Sequence, residues 1–465
     1  MKYVIMMCLL IFSINAEDKR PNILIALADN WAFPNASAYG DKSVKTPTFD
    51  KISQNGFVFN EAYCQVPSCS PARAVLLSGQ AFCRLGSGAN LHGFWPEVKN
   101  YPQLLKDAGY HIGYTYKGWG PGYFGNKPHK RLNPAGDYYK NFTEFITDKP
   151  QDKPFCFWFG SHDPHMPWNK GGEFKKGIDP ATIRIPDYLP DAPVVRNEIV
   201  EYYGEIQKFD HEVSEIYAFL EKKKMLENTI FIMMGDNGWQ APRGLANLYD
   251  AGTKTCMAIQ WPAKYKNGDK KIDSFIDFSD IAPTLLEAAG VQVPKEMTGK
   301  SLWPLLEGKV EGRDRLFMGR ERHANVRYDN AGYPGRAIRT KKYLYIRNYF
   351  PDRWPAGDPQ TWHAVGPYGD IDNSIIKSYI MLNKKNSTKK YFQICFEKRP
   401  AEELYDLSKD PDQVRNIAED KNYKSVIEEM RGALKEEMKA VGDPRLKNPY
   451  TLKFDKEVYL GSHRR

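Results

Sequence analysis

The sequence predicts an α/β fold, and three features carry that prediction. Ile23–Ala28, Phe155–Gly160 and Thr229–Met234 are continuous apolar runs of strand length, as expected of parallel strands covered on both faces. Val195–Lys224 sets apolar and aromatic residues at helical spacing with charges between them, which makes a long covering helix. From about Arg313 the texture changes to short segments rich in Arg and Tyr: Leu316–Arg320, Arg336–Thr340 and Tyr343–Arg347, then a helix near Tyr423–Val441. The expected division is therefore a leader over 1–16, a main domain over 17–312 and a smaller subdomain over 313–465.

A chain of 465 residues with 42% hydrophobic and 26% charged residues has ample length for a large core. Lys2 precedes the apolar run Val4–Phe12, and Ser13-Ile14-Asn15-Ala16 supplies a small residue for cleavage. This reads as a secretory signal peptide, too short for a membrane span, and no later run is long enough to cross a bilayer. The expected location is exported, periplasmic or secreted. Cys8 lies in the leader, leaving Cys64, Cys69, Cys83, Cys156, Cys256 and Cys395, from which no disulfide pairing can be assigned. The formal charge of +9 suits a polyanionic partner, although a mildly basic solvated surface is the commoner explanation of such a balance.

The first strand ends in Asp29-Asn30, hard oxygens at the carboxyl end of a strand, where open α/β sheets place their chemistry. Asp29 capping the next turn is the plainer alternative. A helix over Thr46–Ile52 and a strand over Phe57–Phe59 lead to Cys69-Ser70-Pro71-Ala72-Arg73. Pro71 suits a first helical turn, Ala74–Leu77 bury the helix and Gly79 closes it. Cys69 then stands at a helix N-terminus with Arg73 one turn on, on the same face. A buried structural cysteine in a proline turn would look similar. Gln80–Phe94 is a glycine-rich loop bearing Asn90 and His92, which either line a pocket or face solvent. Strand His111–Tyr116 ends in Lys117-Gly118-Trp119, and Phe155–Gly160 ends in Ser161-His162-Asp163-Pro164-His165. An imidazole there titrates near working pH and suits proton transfer. Thr229–Met234 delivers Asp236-Asn237, which with Asp29 and Asn30 makes an all-oxygen set for a hard divalent cation. Arg320-Glu321-Arg322-His323 and Arg353-Trp354 place guanidinium groups beside aromatics, a pattern that fits sulfated sugars or plain surface ion pairs.

Taken in order, these motifs resemble the formylglycine-dependent (type I) sulfatases from Pro21 to about Val441. The nearest branches are the heparan N-sulfatase-like and secreted bacterial polysaccharide sulfatases. The resemblance implies an alkaline-phosphatase-like α/β sandwich with a large mixed sheet, plus a C-terminal subdomain with an antiparallel sheet. It implies that a maturation enzyme oxidises Cys69 to formylglycine (3-oxoalanine), and that Ca²⁺ is held by Asp29, Asn30, Asp236, Asn237 and the modified residue 69. Arg73, Lys117 and His165 would join residue 69 in catalysis. Asn90, His92, Arg243, Arg322, His323 and Arg353 are candidates for substrate contact. The implied partner is a sulfated glycan, an algal galactan such as carrageenan or a glycosaminoglycan; no nucleic acid is expected. Three positions depart from the family. Asn30 stands where a second acidic residue is usual, Trp119 where a histidine assists turnover, and Leu245 where a sulfate-binding lysine or arginine precedes Tyr249 by four residues. His92 or His323 could replace the histidine, and Arg243 the cation. A phosphoryl-transfer hydrolase of the same superfamily and a non-catalytic glycan binder remain as alternatives.

Overall fold

The computed structural model describes residues 20–461 apart from 126, 129–131, 169–171, 267 and 361–365, with backbone alone for 127–128. The expected leader, 1–16, lies outside the described residues. The main sheet takes in β1 (Asn22–Ala28), β2 (Phe57–Phe59), β3 (His111–Tyr116), β4 (Asp137–Tyr138), β5 (Phe155–Gly160), β6 (Thr229–Gly235), β7 (Met257–Gln260) and β8 (Lys270–Ile272). Across the sheet they run β8-β2-β7-β6-β1-β5-β3-β4. The inner strands β6, β1, β5 and β3 are mutually parallel, and β7 is antiparallel to both β6 and β2, so the sheet is mixed.

The apolar runs are explained by burial on both faces. On β1, Ile23, Ile25 and Leu27 enter one core while Leu24, Ala26 and Ala28 enter the other. Helices α1 (Pro47–Gln54), α2 (Cys69–Ser78), α3 (Pro193–Lys222) and α4 (Ile281–Ala288) cover the sheet. The first core takes α2 and α4 through Val75, Leu76, Ile281 and Leu285. The second takes α1 and α3 through Phe49, Ile52, Ile199 and Phe209. Asp210 of α3 accepts the amides of Thr48 and Phe49, which anchors the first turn of α1.

A second sheet follows, fully antiparallel: β9 (Arg315–Arg320), β10 (Gly335–Thr340), β11 (Tyr343–Asn348) and β12 (Glu402–Asp406), in that order. Helix α5 (Ile375–Leu382) packs Ile376 and Ile380 into the second core, and α6 (Lys424–Val441) packs Met430 and Leu434 into the first. The large mixed sheet and the smaller antiparallel sheet both match expectation. No described helix is long and apolar enough to cross a membrane, and the six described cysteines are all free.

Candidate active site

The carboxyl ends of β1, β3, β5 and β6 converge on the N-terminus of α2. Helix α2 begins where Ser68 adopts an extended conformation, carries Pro71 in its first turn, and stops at Gly79, whose φ of 64° favours a residue without Cβ. The whole helix is buried, so Cys69 and Arg73 are fixed by the fold. Asn30 leaves β1 with φ 72°, a left-handed conformation that asparagine tolerates better than most residues. Lys117 leaves β3 over Gly160, where a Cβ would lie 1.7 Å from the Lys117 carbonyl oxygen. That approach positions the carbonyl to accept from Arg73 Nη1 at 2.8 Å.

These residues form one network. Cys69 Sγ donates to Asp29 Oδ1 at 3.1 Å and lies 3.8 Å from Asn30 Oδ1. Arg73 Nε donates to Asp236 Oδ2 at 2.8 Å, and its Nη2 is 3.9 Å from Asp29 Oδ1. Lys117 Nζ reaches Asp29 Oδ2 at 2.5 Å. Asp236 Oδ1 accepts the Asn30 amide at 2.9 Å, and Asn237 Nδ2 donates to Asn30 Oδ1 at 2.5 Å. Burial alone would raise the Asp29 carboxyl, but Lys117, with His165 and Arg73 behind it, holds it well below the usual carboxylate range. Burial, and next Asp29, push the Cys69 thiol well up, so unmodified Cys69 is a neutral thiol.

The donor atoms of Asp29, Cys69 and Asp236 lie within 4.8 Å of one another, and Asn237 Oδ1 is a buried acceptor without a partner. Two carboxylates plus a free amide oxygen in a closed cluster fit a hard, oxygen-seeking cation.

Imidazoles stand around this floor. His165 Nδ1 donates to Met166 O at 2.5 Å, leaving Nε2 facing Asp372 Oδ2 at 3.7 Å. His162 lies nearby, its pKa lowered by burial and by Lys117. His323, from the segment after β9, has Nδ1 2.8 Å from the Oγ of Ser68, the residue before Cys69. Burial lowers its pKa and so favours the neutral ring. Trp119, at the position of the missing histidine, is fully buried; its Nε1 donates to Ser70 O at 3.1 Å and its ring packs edge-on against Trp95.

Four residues expected to contact substrate make contacts within the chain. Arg243, offered for the cation missing at Leu245, lies over the Tyr249 ring at 3.6 Å and donates to the carbonyls of Ile394 and Gln413. Arg322 is buried and holds the carbonyl of Glu457. Arg353 pairs with Asp455 at 2.8 Å and lies over Phe350. Asn90 bridges the Arg322 amide and Phe454 O. All four tie the C-terminal segments to the domain. His92 packs on the Tyr459 ring, and no described contact joins it to Cys69. The sequence reading overlooked Ser68, Gln240 and Asp372. Gln240 Oε1 accepts from both Asn30 Nδ2 and Met166 N, and only its place just after Asp236-Asn237 could have flagged it.

Residues 21–291 match the family model described as Sulfatase, and 235–362 match N-sulphoglucosamine sulphohydrolase, C-terminal. An ulvan-active sulfatase of Formosa agariphila is 26% identical over 92% of this chain and 82% of its own length. The N-sulphoglucosamine sulphohydrolase of Homo sapiens is 25% identical over 92% of each chain. A solved structure, described as bound to its substrate D-glucosamine-2-N,6-O-disulfate, superposes with a TM-score of 0.65 at 18% identity, covering 92% of this chain and 99% of that one.

Proposed function

This chain belongs to the sulfatase family, and from that premise we propose that it removes sulfate groups from a sulfated polysaccharide, an algal galactan or a glycosaminoglycan, through residue 69. One observation carries the reading: Cys69 is fixed at the buried N-terminus of α2, in contact with Asp29 and ringed by Arg73 and Lys117. A neutral thiol in that position is a poor nucleophile, which is why maturation to formylglycine is part of the proposal. When present, the hydrated aldehyde supplies the attacking oxygen and Ca²⁺ the charge that steadies it.

The chain's own residues do the rest. Asp29, Asn30, Asp236 and Asn237 would hold the ion. Arg73, locked by Asp236 and the carbonyls of Lys117 and Gly118, presents a fixed positive charge without reorganisation. Lys117 adds a second cation for the sulfate oxygens. His165, with Nδ1 committed to Met166 O, has Nε2 available to protonate the leaving sugar oxygen, and Asp372 faces it. The Trp119 indole is neither an acid nor a base near neutral pH and its N–H is held by Ser70 O, so we assign the proton transfers at residue 69 to His323 through Ser68 Oγ. A leader over 1–16 exports the protein, and a formylglycine-generating enzyme is its maturation partner.

Trp119 and Leu245 favour a second reading, a glycan binder without turnover. Sulfate release from ulvan, carrageenan, fucoidan and heparan fragments separates the two, with protein co-expressed with the maturation enzyme and Cys69→Ala alongside. Release from one polymer, absent in the variant, supports the hydrolase. Polymer binding without release, with the aldehyde present, supports the binder.

A further inference from the structure

Helix α5 buries a lysine in its first turn: Lys377 is 3% exposed. The position is unfavourable twice over, since burial strips the ammonium of water and a helix N-terminus repels a cation. Its Nζ donates to Ile371 O at 2.6 Å, to Tyr368 O at 3.1 Å and to Asn373 Oδ1 at 3.3 Å. All three ammonium protons therefore go to one loop, 368–373. Burial pulls the ammonium down to about 8, and the charges of Asp372 and then Asp370 oppose that fall.

The loop is the one that brings Asp372 to His165. It opens on a strained residue: Tyr368 has φ 52°, a left-handed conformation that a bulky side chain keeps only where its surroundings enforce it. Either side of Asp372 the chain is anchored independently. Asp370 accepts from Arg320 and Arg327 through Oδ2 and from the Ala324 amide through Oδ1. Glu198 of α3 accepts the amides of Ile375 and Ile376 and so fixes the start of α5. Between these anchors, Lys377 takes an oxygen from each of the two residues that flank Asp372, Ile371 and Asn373. Asp372 Oδ2 is itself buried without a hydrogen-bond partner, 3.7 Å from His165 Nε2. A carboxylate oxygen in that state gains by turning out to water, so it stays only if its backbone is held.

We propose that Lys377 is a positioning residue of this site, gripping the loop on both sides of Asp372 so that its carboxylate faces His165 during turnover. This rests on the sulfatase reading, in which His165 protonates the leaving sugar oxygen. Without the ammonium, residues 371–373 are free to swing and Asp372 turns away. His165 then loses the negative charge that orients its ring and supports its protonated form. Arg73 and Lys117 keep their own partners, Asp236 and Asp29, so sulfate binding is left intact. The loss falls on the chemical step alone.

Lys377→Met keeps the length of the side chain and removes its donors. In the matured enzyme it is expected to lower kcat about tenfold, as Asp372→Asn does, with KM changed less than about twofold. The double variant is expected to be no slower than Asp372→Asn alone, because Lys377 acts through Asp372. A merely structural loss would instead multiply with that of Asp372→Asn. Asn373→Ala, a change at the surface that does not endanger folding, is expected to give a smaller fall in kcat, again at constant KM. Hydrogen exchange of the unmatured protein needs no turnover, and Lys377→Met is expected to speed it over 366–376 while α2 stays protected. Full kcat in Lys377→Met, multiplying losses in the double variant, or unchanged exchange over 366–376 would each overturn the proposal. If Lys377→Met did not fold, an unchanged kcat in Asn373→Ala would do the same. A wild-type enzyme that releases no sulfate, with 366–376 still opened by Lys377→Met, would remove the hydrolase reading and leave the grip of Lys377 on this loop standing.

Discussion

On the strand-end side of the site, each cation faces a carboxylate of the chain itself: Arg73 meets Asp236, and Lys117 meets Asp29. On the C-terminal side, Arg320 and Arg327 both converge on Asp370, while Asp372, two residues on, keeps a buried Oδ2 with no hydrogen-bond partner opposite His165. The first side is internally balanced, so its geometry is set before any substrate arrives. The second keeps groups in reserve: His165 Nε2, Asp372 Oδ2, and the His323 ring on Ser68. Fixed charge on one side and available proton carriers on the other is the division expected of a site that stabilises charge and moves protons.

Removing a balanced charge should do the most damage. Arg73→Ala leaves Asp236 buried and unpaired, which is expected to cost about 3–5 kcal/mol of stability and all turnover, measured by denaturant unfolding and sulfate release. If stability were unchanged, the side would not be charge-locked. On the reserve side, His323→Ala is expected to lower kcat about 10²–10⁴-fold while the melting temperature moves little. Ser68→Ala should reproduce part of that loss. Full activity in both variants would take the proton relay away from this pair.

Asp372→Asn should act more mildly, lowering kcat about tenfold by removing the charge that faces His165, with KM little changed. A rise in KM alone would make Asp372 a binding residue instead. The smallest effect lies behind the site, on α3. Burial, and next Asp163, raise the Glu212 carboxyl to about 7. The native state therefore keeps a proton that the unfolded chain releases near 4.5, so stability falls as pH rises from about 4.5 to 7. Glu212→Gln is expected to raise the melting temperature above pH 7 and to make no difference below pH 4.5. A gain at both extremes would mean packing, not charge.

The balanced side was the legible one. Asp29-Asn30, Lys117 and Asp236-Asn237 each follow directly on an apolar run, so the strand predicts where its end delivers them. The reserve side was legible only in part: His165 and His323 were named as candidates, but their partners were not. Asp372 comes from a loop before α5 with no local pattern to mark it, and His323 meets Ser68 only through tertiary packing. The partners that Arg243, Arg322 and Arg353 hold within the chain were hidden for a related reason. An arginine beside an aromatic looks the same in sequence whether the ring platform serves a sugar or the fold. Here the deciding partners, the carbonyls of Ile394, Gln413 and Glu457 and the carboxylate of Asp455, lie far along the chain. Trp119 was legible as a departure from the family, but its service in holding Ser70 O was not.

The mass of the peptide carrying residue 69 tests the central claim most directly, taken from protein co-expressed with the maturation enzyme and quenched during turnover of a released substrate. The account predicts the aldehyde in the active enzyme and a sulfate adduct on the same peptide in His323→Ala. An unmodified Cys69 thiol in protein that still releases sulfate would contradict it.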